Sequence, residues 1–538
     1  MGHGNHAKRS ALWLCLGAGF ITLLDQSMFV LAVPAMSASL HADSGSVQWI
    51  LASYSLAFGV ALVPAGRLGD IVGRRTLFIA GIAVFGASSL VGGLATDPSL
   101  VIIARLLQGL GAGTLNPQVL GLLQDIYKGH DRAKALGAYA AAGGSAAVCG
   151  PLIGGLVLSL GEPSIGWRIL FLANVPLVLI LVPLAFRLLP RPAGKHPEDA
   201  KPSIDILGAL LLGGVVIASL IPTIYGAGAI AVTSLAIGTG ALLAFAGWEI
   251  LYHRRGRTPL LSAALVRSKG YALGTVVALC QFGVGAGMAA VTAFYFLAGT
   301  GMAPLAAAAI LAPQAAGMLL ASSFSWRFVA RYGRAGIVYA LLGSLACLIA
   351  KDLFVQGLDG GTAALAVAAV GLLQGVATGL VVAPNQTLTL AHAPVGAAGV
   401  AAGFYQLSQR FAAALCSAAA AGMFLQAHGA ATGAASKDAF HQGIVMCCVL
   451  LGVALLAGGL DWLREARDRT KTRAVVVTSV KEAATTAVVL TPEGRTAAGT
   501  QRSEVTESVE AWAVEAGGAV GPVVGTPTSR SAGKPPST

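Results

Sequence analysis

The stretch "ARLLQGLGAGTLNPQ", residues 104–118, sets an arginine where nothing else is charged. Leu100, Val101, Ile102 and Ile103 lead into it, and Leu106 and Leu107 follow. A charge in such a run costs about 2.5–3.5 kcal/mol even on lenient membrane-insertion scales. Arg105 therefore has a use, and the rest of the chain says in what solvent.

That solvent is lipid. Of 538 residues, 56% are hydrophobic and 11% charged, against about 25% charged in a soluble globular protein. Glycine alone numbers 70, and small residues let helices approach closely where packing drives association. The chain reads as an all-α, polytopic membrane protein. Its net charge of +12 falls in short clusters between apolar runs, which marks topology and gives no reason to expect nucleic acid. Seven cysteines lie in or beside apolar runs with no metal-ligand spacing and read as packing residues. The first apolar run, from Ala11, is longer than a cleaved signal's core of about 7–15 residues and reads as a span.

With about 20 apolar residues needed per span, runs near 11–35, 48–66, 77–95, 99–122, 135–160, 169–189, 205–225, 229–248, 272–298, 303–324, 335–350, 362–384, 397–424 and 443–460 are expected to cross the membrane. One set of loops holds Lys8, Arg9, Arg67, Arg74, Arg75, Lys128, Arg132 and Lys134, then Arg187, Arg191, Lys195, Lys201, Arg254, Arg255, Arg257, Arg267, Lys269, Arg327, Arg331 and Arg334. The opposite loops offer little beyond Arg168, Lys351 and Lys437. The positive-inside rule places the first set and both termini in the cytoplasm.

"LLQGLGAG" at 106–113 recurs as "LLQGVATG" at 372–379. Repeats half a chain apart imply two halves of six helices with a substrate cleft between them. The expected organisation is a cytoplasmic N-terminus (1–10), an N-terminal six-helix half (11–190), an inserted helix pair with linkers (191–260), a C-terminal half (261–462) and a disordered cytoplasmic tail (463–538).

Arg105 needs a counter-charge, and the only carboxylate deep inside an expected span is Asp25, in "LLDQSMFVLAVP". Asp25 lies roughly 21 Å above the cytoplasmic edge, and Arg105 enters from outside to roughly 9 Å depth, so in a core of about 30 Å they share a level. A neighbouring cation favours the ionised carboxylate and desolvation opposes it. A small rearrangement can then move a proton on or off Asp25. A static ion pair that fixes helix register is the bland alternative.

Several motifs together resemble the major facilitator superfamily, in its fourteen-span drug:proton antiporter branch of the EmrB/QacA type. "GRLGDIVGRR" (66–75) resembles the turn between the second and third helices through Gly66, Asp70, Gly73, Arg74 and Arg75. "RLLQGLGAG" resembles the fourth-helix motif through Arg105, Gln108, Gly109 and Gly111. "GSAAVCGPLIGG" resembles the fifth-helix antiporter motif through Gly150, Pro151, Gly154 and Gly155. "WRILFLANVP" (167–176) and "LDQSMFVLAVP" (24–34) resemble further motifs of that branch. The resemblance covers residues 11 to about 460. The chain departs from it at Val30, Val33, Ala146 and Ala330, none of which removes a charged residue.

The resemblance implies proton coupling through Asp25 and Arg105, and gating by the 66–75 turn, where Asp70 is expected to face the start of the helix near 397–424. Gln108, Gln281, Tyr295, Gln314, Gln374, Tyr405, Gln409 and Arg410 are the expected substrate-cavity residues. Amides, aromatics and one arginine suit a neutral, zwitterionic or anionic lipophilic compound. The expected protein is a plasma-membrane exporter, working as a monomer among membrane lipid, exchanging a lipophilic substrate for protons with no cofactor or metal. A symporter or a lipid or metabolite translocator on the same scaffold is the alternative. An enzyme is not expected, since His392, His428 and His441 are scattered and unpartnered by other metal ligands. A membrane sensor would be expected to carry a folded domain in place of its tail.

Overall fold

The structure is a computed structural model and describes residues 2–190, 205–225, 228–257, 259–261, 263–393, 398–427 and 433–489; among them there is no strand. The apolar runs become helices because a segment in hydrocarbon must satisfy its backbone N–H and C=O groups internally. In order these are α1 (Gly2–Leu40), α2 (Ser44–Val72), α3 (Arg74–Gly93), α4 (Pro98–Ile126), α5 (Gly129–Leu160), α6 (Pro163–Leu172) and α7 (Asn174–Leu188). Then come α8 (Ile206–Tyr225), α9 (Ala229–Arg254), the short α10 (Ala263–Arg267), α11 (Lys269–Phe294), a π-helical turn (Tyr295–Gly299), α12 (Pro304–Gly357), α13 (Gly360–Leu390), α14 (Ala398–Ala427) and α15 (Gly433–Val489).

Helix starts follow local chemistry. Asp43 accepts from Ser46 N at 3.1 Å and Asp97 from Leu100 N at 3.0 Å, with Pro98 in the first turn. Each carboxylate satisfies an amide that the first turn would leave unbonded. Gly73 divides α2 from α3 with φ 102°, a conformation open to glycine.

Among the described residues, twelve helices are long and apolar enough to cross a membrane, with α6 and α7 counted together. Two further expected spans are found elsewhere. Residues 303–324 and 335–350 were expected to be separate, and α12 carries both in 54 residues, broken by Gly333 at φ 54°. The 30 residues of α14 include Gln406, Gln409 and Arg410, which lower its hydropathy. The outward faces are apolar, as at Leu179, Leu243, Leu365 and Leu456, which suits a lipid solvent.

Residues 1–462 make one compact unit. Within it α3 and α2 pack on α4, α1 on α5, α11 on α14 and the first part of α12 on α13. The first and second halves meet where α2 touches α14, α5 touches α12 and α1 touches α11. The second unit begins at Leu463. There α15 continues to Val489, so the start of the tail is helical where no regular structure was expected. Its Ala, Lys, Glu and Arg are good helix formers extending a helix already nucleated. Residues 490–538 lie outside the described residues, as do Arg191, Lys195, Lys201 and His428 of the sequence reading.

Candidate functional site

Asp25 and Arg105 meet. Arg105 Nη1 donates to Asp25 Oδ2 at 2.8 Å, with the two residues 2% and 1% exposed respectively. The same Nη1 donates to Gln108 Oε1 at 2.9 Å, and Gln108 Nε2 donates to Ser89 Oγ on α3 at 2.7 Å. The other carboxylate oxygen, Asp25 Oδ1, accepts from Asn174 Nδ2 at the start of α7, at 2.7 Å. Two rings close over the guanidinium, with Phe29 at 3.8 Å and Tyr54 at 4.3 Å from their centroids. Helices α1, α2, α3, α4 and α7 thus each supply one wall. The spacing is helical logic: Asp25 and Phe29 lie four apart on α1, and Arg105 and Gln108 three apart on α4, so each pair shares a face.

A charge pair so enclosed is stable only when its hydrogen-bonding valences are filled, and here Asp25 is held from both oxygens. Gln108, expected to line the cavity, belongs instead to this network. The sequence reading missed Asn174, Ser89, Phe29 and Tyr54 as partners. Asn174 stands in the "WRILFLANVP" motif, but only the fold shows which group its amide meets.

The fifth-helix glycines act on the same helix as Asp25. A Cβ at Gly150 would stand 1.8 Å from Ser27 Oγ, and one at Gly154 would stand 3.0 Å from Met28 Cβ. Ser27 Oγ donates to Ala146 O at 2.9 Å. Gly155 faces the other half, where a Cβ would stand 2.6 Å from Ala308 and 2.8 Å from Pro304 O. Around Pro151, α5 therefore packs closely on α1 beside Asp25 and on α12. Across the halves, Arg410 Nη1 on α14 donates to Gln26 Oε1 at 2.7 Å, with Phe58 under the guanidinium at 4.3 Å. Gln26 is the residue after Asp25.

In the 66–75 turn Asp70 accepts from Arg74 at 3.0 Å, and Arg74 also reaches Asp125 at 3.2 Å. Arg75 donates to Phe186 O, and a Cβ at Gly66 would meet Pro117 at 3.6 Å. Asp70 is exposed and paired across Gly73 with the first residue of α3; residues 394–397, before α14, lie outside the described residues. The second-half turn lacks an Asp at Ala330, yet Arg334 pairs with Asp461 of α15. Its counter-charge comes from a different helix.

The remaining expected cavity residues do not form one lining. Tyr405 accepts from Asn385 Nδ2 at 3.2 Å and interacts with Gln409. Gln281 Nε2 donates to Thr378 Oγ1 at 3.1 Å, and Gln374 is buried. Tyr295 packs on Phe296 and Phe440, each at 5.0 Å. A cavity of about 320 Å³ between α1, α5 and the start of α12 is lined by residues such as Leu31, Pro34, Leu158, Leu297 and Met302, and by none of the expected polar set. Lys351, read as a loop charge marking topology, is 2% exposed inside the C-terminal half and donates to Gln314 Oε1 at 3.0 Å. Its ammonium lies 3.8 Å from where a Cβ on Gly371 would be. Gly371 is the repeat's counterpart of Arg105, so the second half places a cation there from a neighbouring helix. Length and hydropathy could not show that α12 runs on to Gly357 and carries Lys351 inward. Among the described residues no group of three or more His, Cys, Asp or Glu could hold a metal ion.

Comparison with known proteins agrees with this architecture. The profile of the Major Facilitator Superfamily matches residues 15–417. The chain is 32% identical to the probable actinorhodin transporter of Streptomyces coelicolor, over 70% of this chain and 66% of that protein. It is 31% identical to the tetracenomycin C resistance and export protein of Streptomyces glaucescens, over 73% and 71%. It is 30% identical to the puromycin resistance protein pur8 of Streptomyces alboniger, over 86% and 93%. Among solved structures, the partially occluded inward-open xylose transporter XylE from E. coli aligns with TM-score 0.53 at 14% identity, over 82% of this chain and 97% of that one. A POT family peptide transporter aligns with TM-score 0.59 at 16% identity, over 84% and 97%. At these identities the two structures speak to fold alone.

Proposed function

The chain belongs to the Major Facilitator Superfamily, and from that premise we propose that it exports a lipophilic small molecule of antibiotic type across the plasma membrane in exchange for protons. The observation that carries the coupling is the Asp25–Arg105 pair, sealed inside the N-terminal half and held by Asn174 and Gln108. Relatives named for the export of, or resistance to, actinorhodin, tetracenomycin C, puromycin and methylenomycin A support the substrate class. Arg410, the tyrosines and the amides of α11, α13 and α14 favour a neutral, zwitterionic or anionic aromatic compound.

Asp25 is the proton carrier in this reading. Ionised, it is balanced by Arg105, and the enclosed network is electrically neutral. Protonated, it loses its hold on the guanidinium, which Gln108 and the Phe29 and Tyr54 rings continue to support. Separation of the pair requires α1 and α4 to shift. Through Ser27 and Met28 on the α5 glycines, and Gln26 on Arg410, a shift of α1 reaches both the α5–α12 and the α14 contacts between halves. Proton binding and the rocking of the halves are thus one event. The basic clusters place the 66–75 turn and both termini in the cytoplasm, so the proton enters from outside and leaves inward. The exporter works as a monomer.

The test uses everted vesicles with an acid interior and a pH-quenched dye. Addition of tetracenomycin C or puromycin should release protons from vesicles holding the natural protein and fail to do so with Asp25→Asn. Equal proton release from the variant would remove Asp25 from the role. Compound movement with no proton movement would reject exchange.

A further inference from the structure

Arg410 is a second charge within a spanning helix, near the middle of α14 (Ala398–Ala427). Among the described residues it makes no ion pair, and its one hydrogen bond runs from Nη1 to Gln26 Oε1 of α1 at 2.7 Å. A cation at such depth is costly unless a counter-charge compensates it. Arg105 has the Asp25 carboxylate for that purpose; Arg410 has a neutral amide. Phe58 of α2 lies under the guanidinium, 4.3 Å from ring centroid to Cζ. A ring meets the flat face of the group and leaves its N–H edge open. Of the five N–H donors on that edge, Gln26 takes one, and the fork they form matches the paired oxygens of an acid.

The place is the seam. Gln26 and Phe58 belong to the first half and Arg410 to the second, and Arg410 is half-buried where Arg105 is enclosed. Another donor stands along the same face of α1. Tyr139 of α5 packs on Gly19, where a Cβ would stand 2.4 Å from its ring, and Gly19 lies two turns before Gln26. Tyr139 Oη accepts from Asn116 Nδ2 at 2.8 Å, so its own O–H is left to donate. The titratable groups that act on Arg410 are Tyr54 and Tyr139, with no carboxylate among them.

We propose that Arg410 recognises an acidic group on the exported compound, a carboxylate, phenolate or enolate, and that this anion displaces the Gln26 amide from the guanidinium. A charged acceptor binds a guanidinium more strongly than a neutral one, so the exchange favours the compound, which brings the counter-charge that the fold does not. It also parts the residue beside Asp25 from the second half, so that occupancy is felt on α1. The proposal rests on the export reading for the seam's being the substrate cleft, and it narrows the substrate to compounds carrying an acid.

The experiment uses two probes with the same rings: anilinonaphthalene sulfonate, an anion, and N-phenylnaphthylamine, which lacks the sulfonate. Binding of each to the full-length protein in phosphatidylcholine nanodiscs is measured by equilibrium dialysis, with protein-free nanodiscs subtracted. The anion should bind saturably. Arg410→Gln should weaken it about ten-fold or more, the low end for a charge-assisted hydrogen bond, and change the neutral probe less than about two-fold. Gln26→Glu keeps Arg410 and gives it a carboxylate in place of the amide, so it should weaken the anion similarly and spare the neutral probe. If circular dichroism shows that Arg410→Gln does not fold, Gln26→Glu decides alone. Anion binding that does not saturate, or that either folded variant leaves unchanged, overturns the proposal. So does a neutral probe that Gln26→Glu weakens as much as the anion. Dialysis needs neither protons nor transport, so failure of tetracenomycin C or puromycin to release protons from vesicles would count against the proposed exchange alone.

Discussion

Loss of Arg105 should destabilise the protein more than loss of the charge on Asp25, and the surroundings of each say why. Arg105→Met removes the 2.8 Å ion pair, the bond to Gln108 and two cation–π contacts at once. It leaves a carboxylate at 1% exposure with Asn174 as its remaining side-chain donor at Oδ1. Removing one partner of a buried pair costs about 3–5 kcal/mol. Asp25→Asn leaves the guanidinium with Gln108 and two ring faces, each worth about 0.5–2 kcal/mol, and an amide oxygen can still accept. Its cost should be about 1–3 kcal/mol. In Arg105→Met/Asp25→Asn no charge is stranded, so the double loss should fall short of the sum by about 1–3 kcal/mol. The assay is unfolding in mixed micelles with increasing sodium dodecyl sulfate, followed by circular dichroism, for all four proteins at neutral pH. At lower pH the stranded carboxylate takes up a proton, so the Arg105→Met deficit should shrink and the Asp25→Asn deficit should stay. Equal costs for the single variants, or a coupling under about 0.5 kcal/mol, would refute the account of a paired, mutually dependent site.

Three further outcomes are expected. Gly150→Ala should cost about 1–3 kcal/mol as overpacking and slow transport, because its Cβ would meet Ser27 Oγ at 1.8 Å; Ser27→Gly should recover part of both in the micelle and vesicle assays. Lys351→Met together with Gln314→Leu should be neutral or stabilising, since a buried ion replaced by apolar atoms of similar volume often is; a loss above about 3 kcal/mol in the unfolding assay would show that the ammonium supports the fold. Asp43, held below its ordinary value by accepting the Ser46 hydrogen bond, contributes helix-capping stability above the ordinary carboxylate range that is lost as the pH falls through its folded-state value. Asp43→Ala should therefore cost up to about 1 kcal/mol near neutrality and nothing once both proteins are well below pH 3–4, as unfolding at a series of pH values would show.

The Asp25–Arg105 pair was legible because only one acidic residue shared Arg105's depth. Lys351 was misplaced for the converse reason: apolar runs locate a helix but not the neighbour it turns toward, and a lysine near a helix end looks the same whether it snorkels to water or points inward. Asp205 and Glu249 escaped notice because each flanks an apolar run, where a carboxylate looks solvated. Only the folded packing buries them, Asp205 under the Trp248 indole and Glu249 on the Leu261 amide.

The linear sequence by itself determined the solvent, the all-α fold, the runs that span and the duplication of a half, because each follows from hydropathy, helix rise and repeated residues that need no partner to be read. Tertiary structure decided which polar atoms meet. It placed Asn174 on the second oxygen of Asp25, Arg410 on Gln26, Asp461 on Arg334 and Arg67 of the 66–75 turn on Pro259. Such pairings depend on helix rotation and on crossings close enough for glycine to be required, and in lipid these are set by packing between helices whose outward faces are all alike.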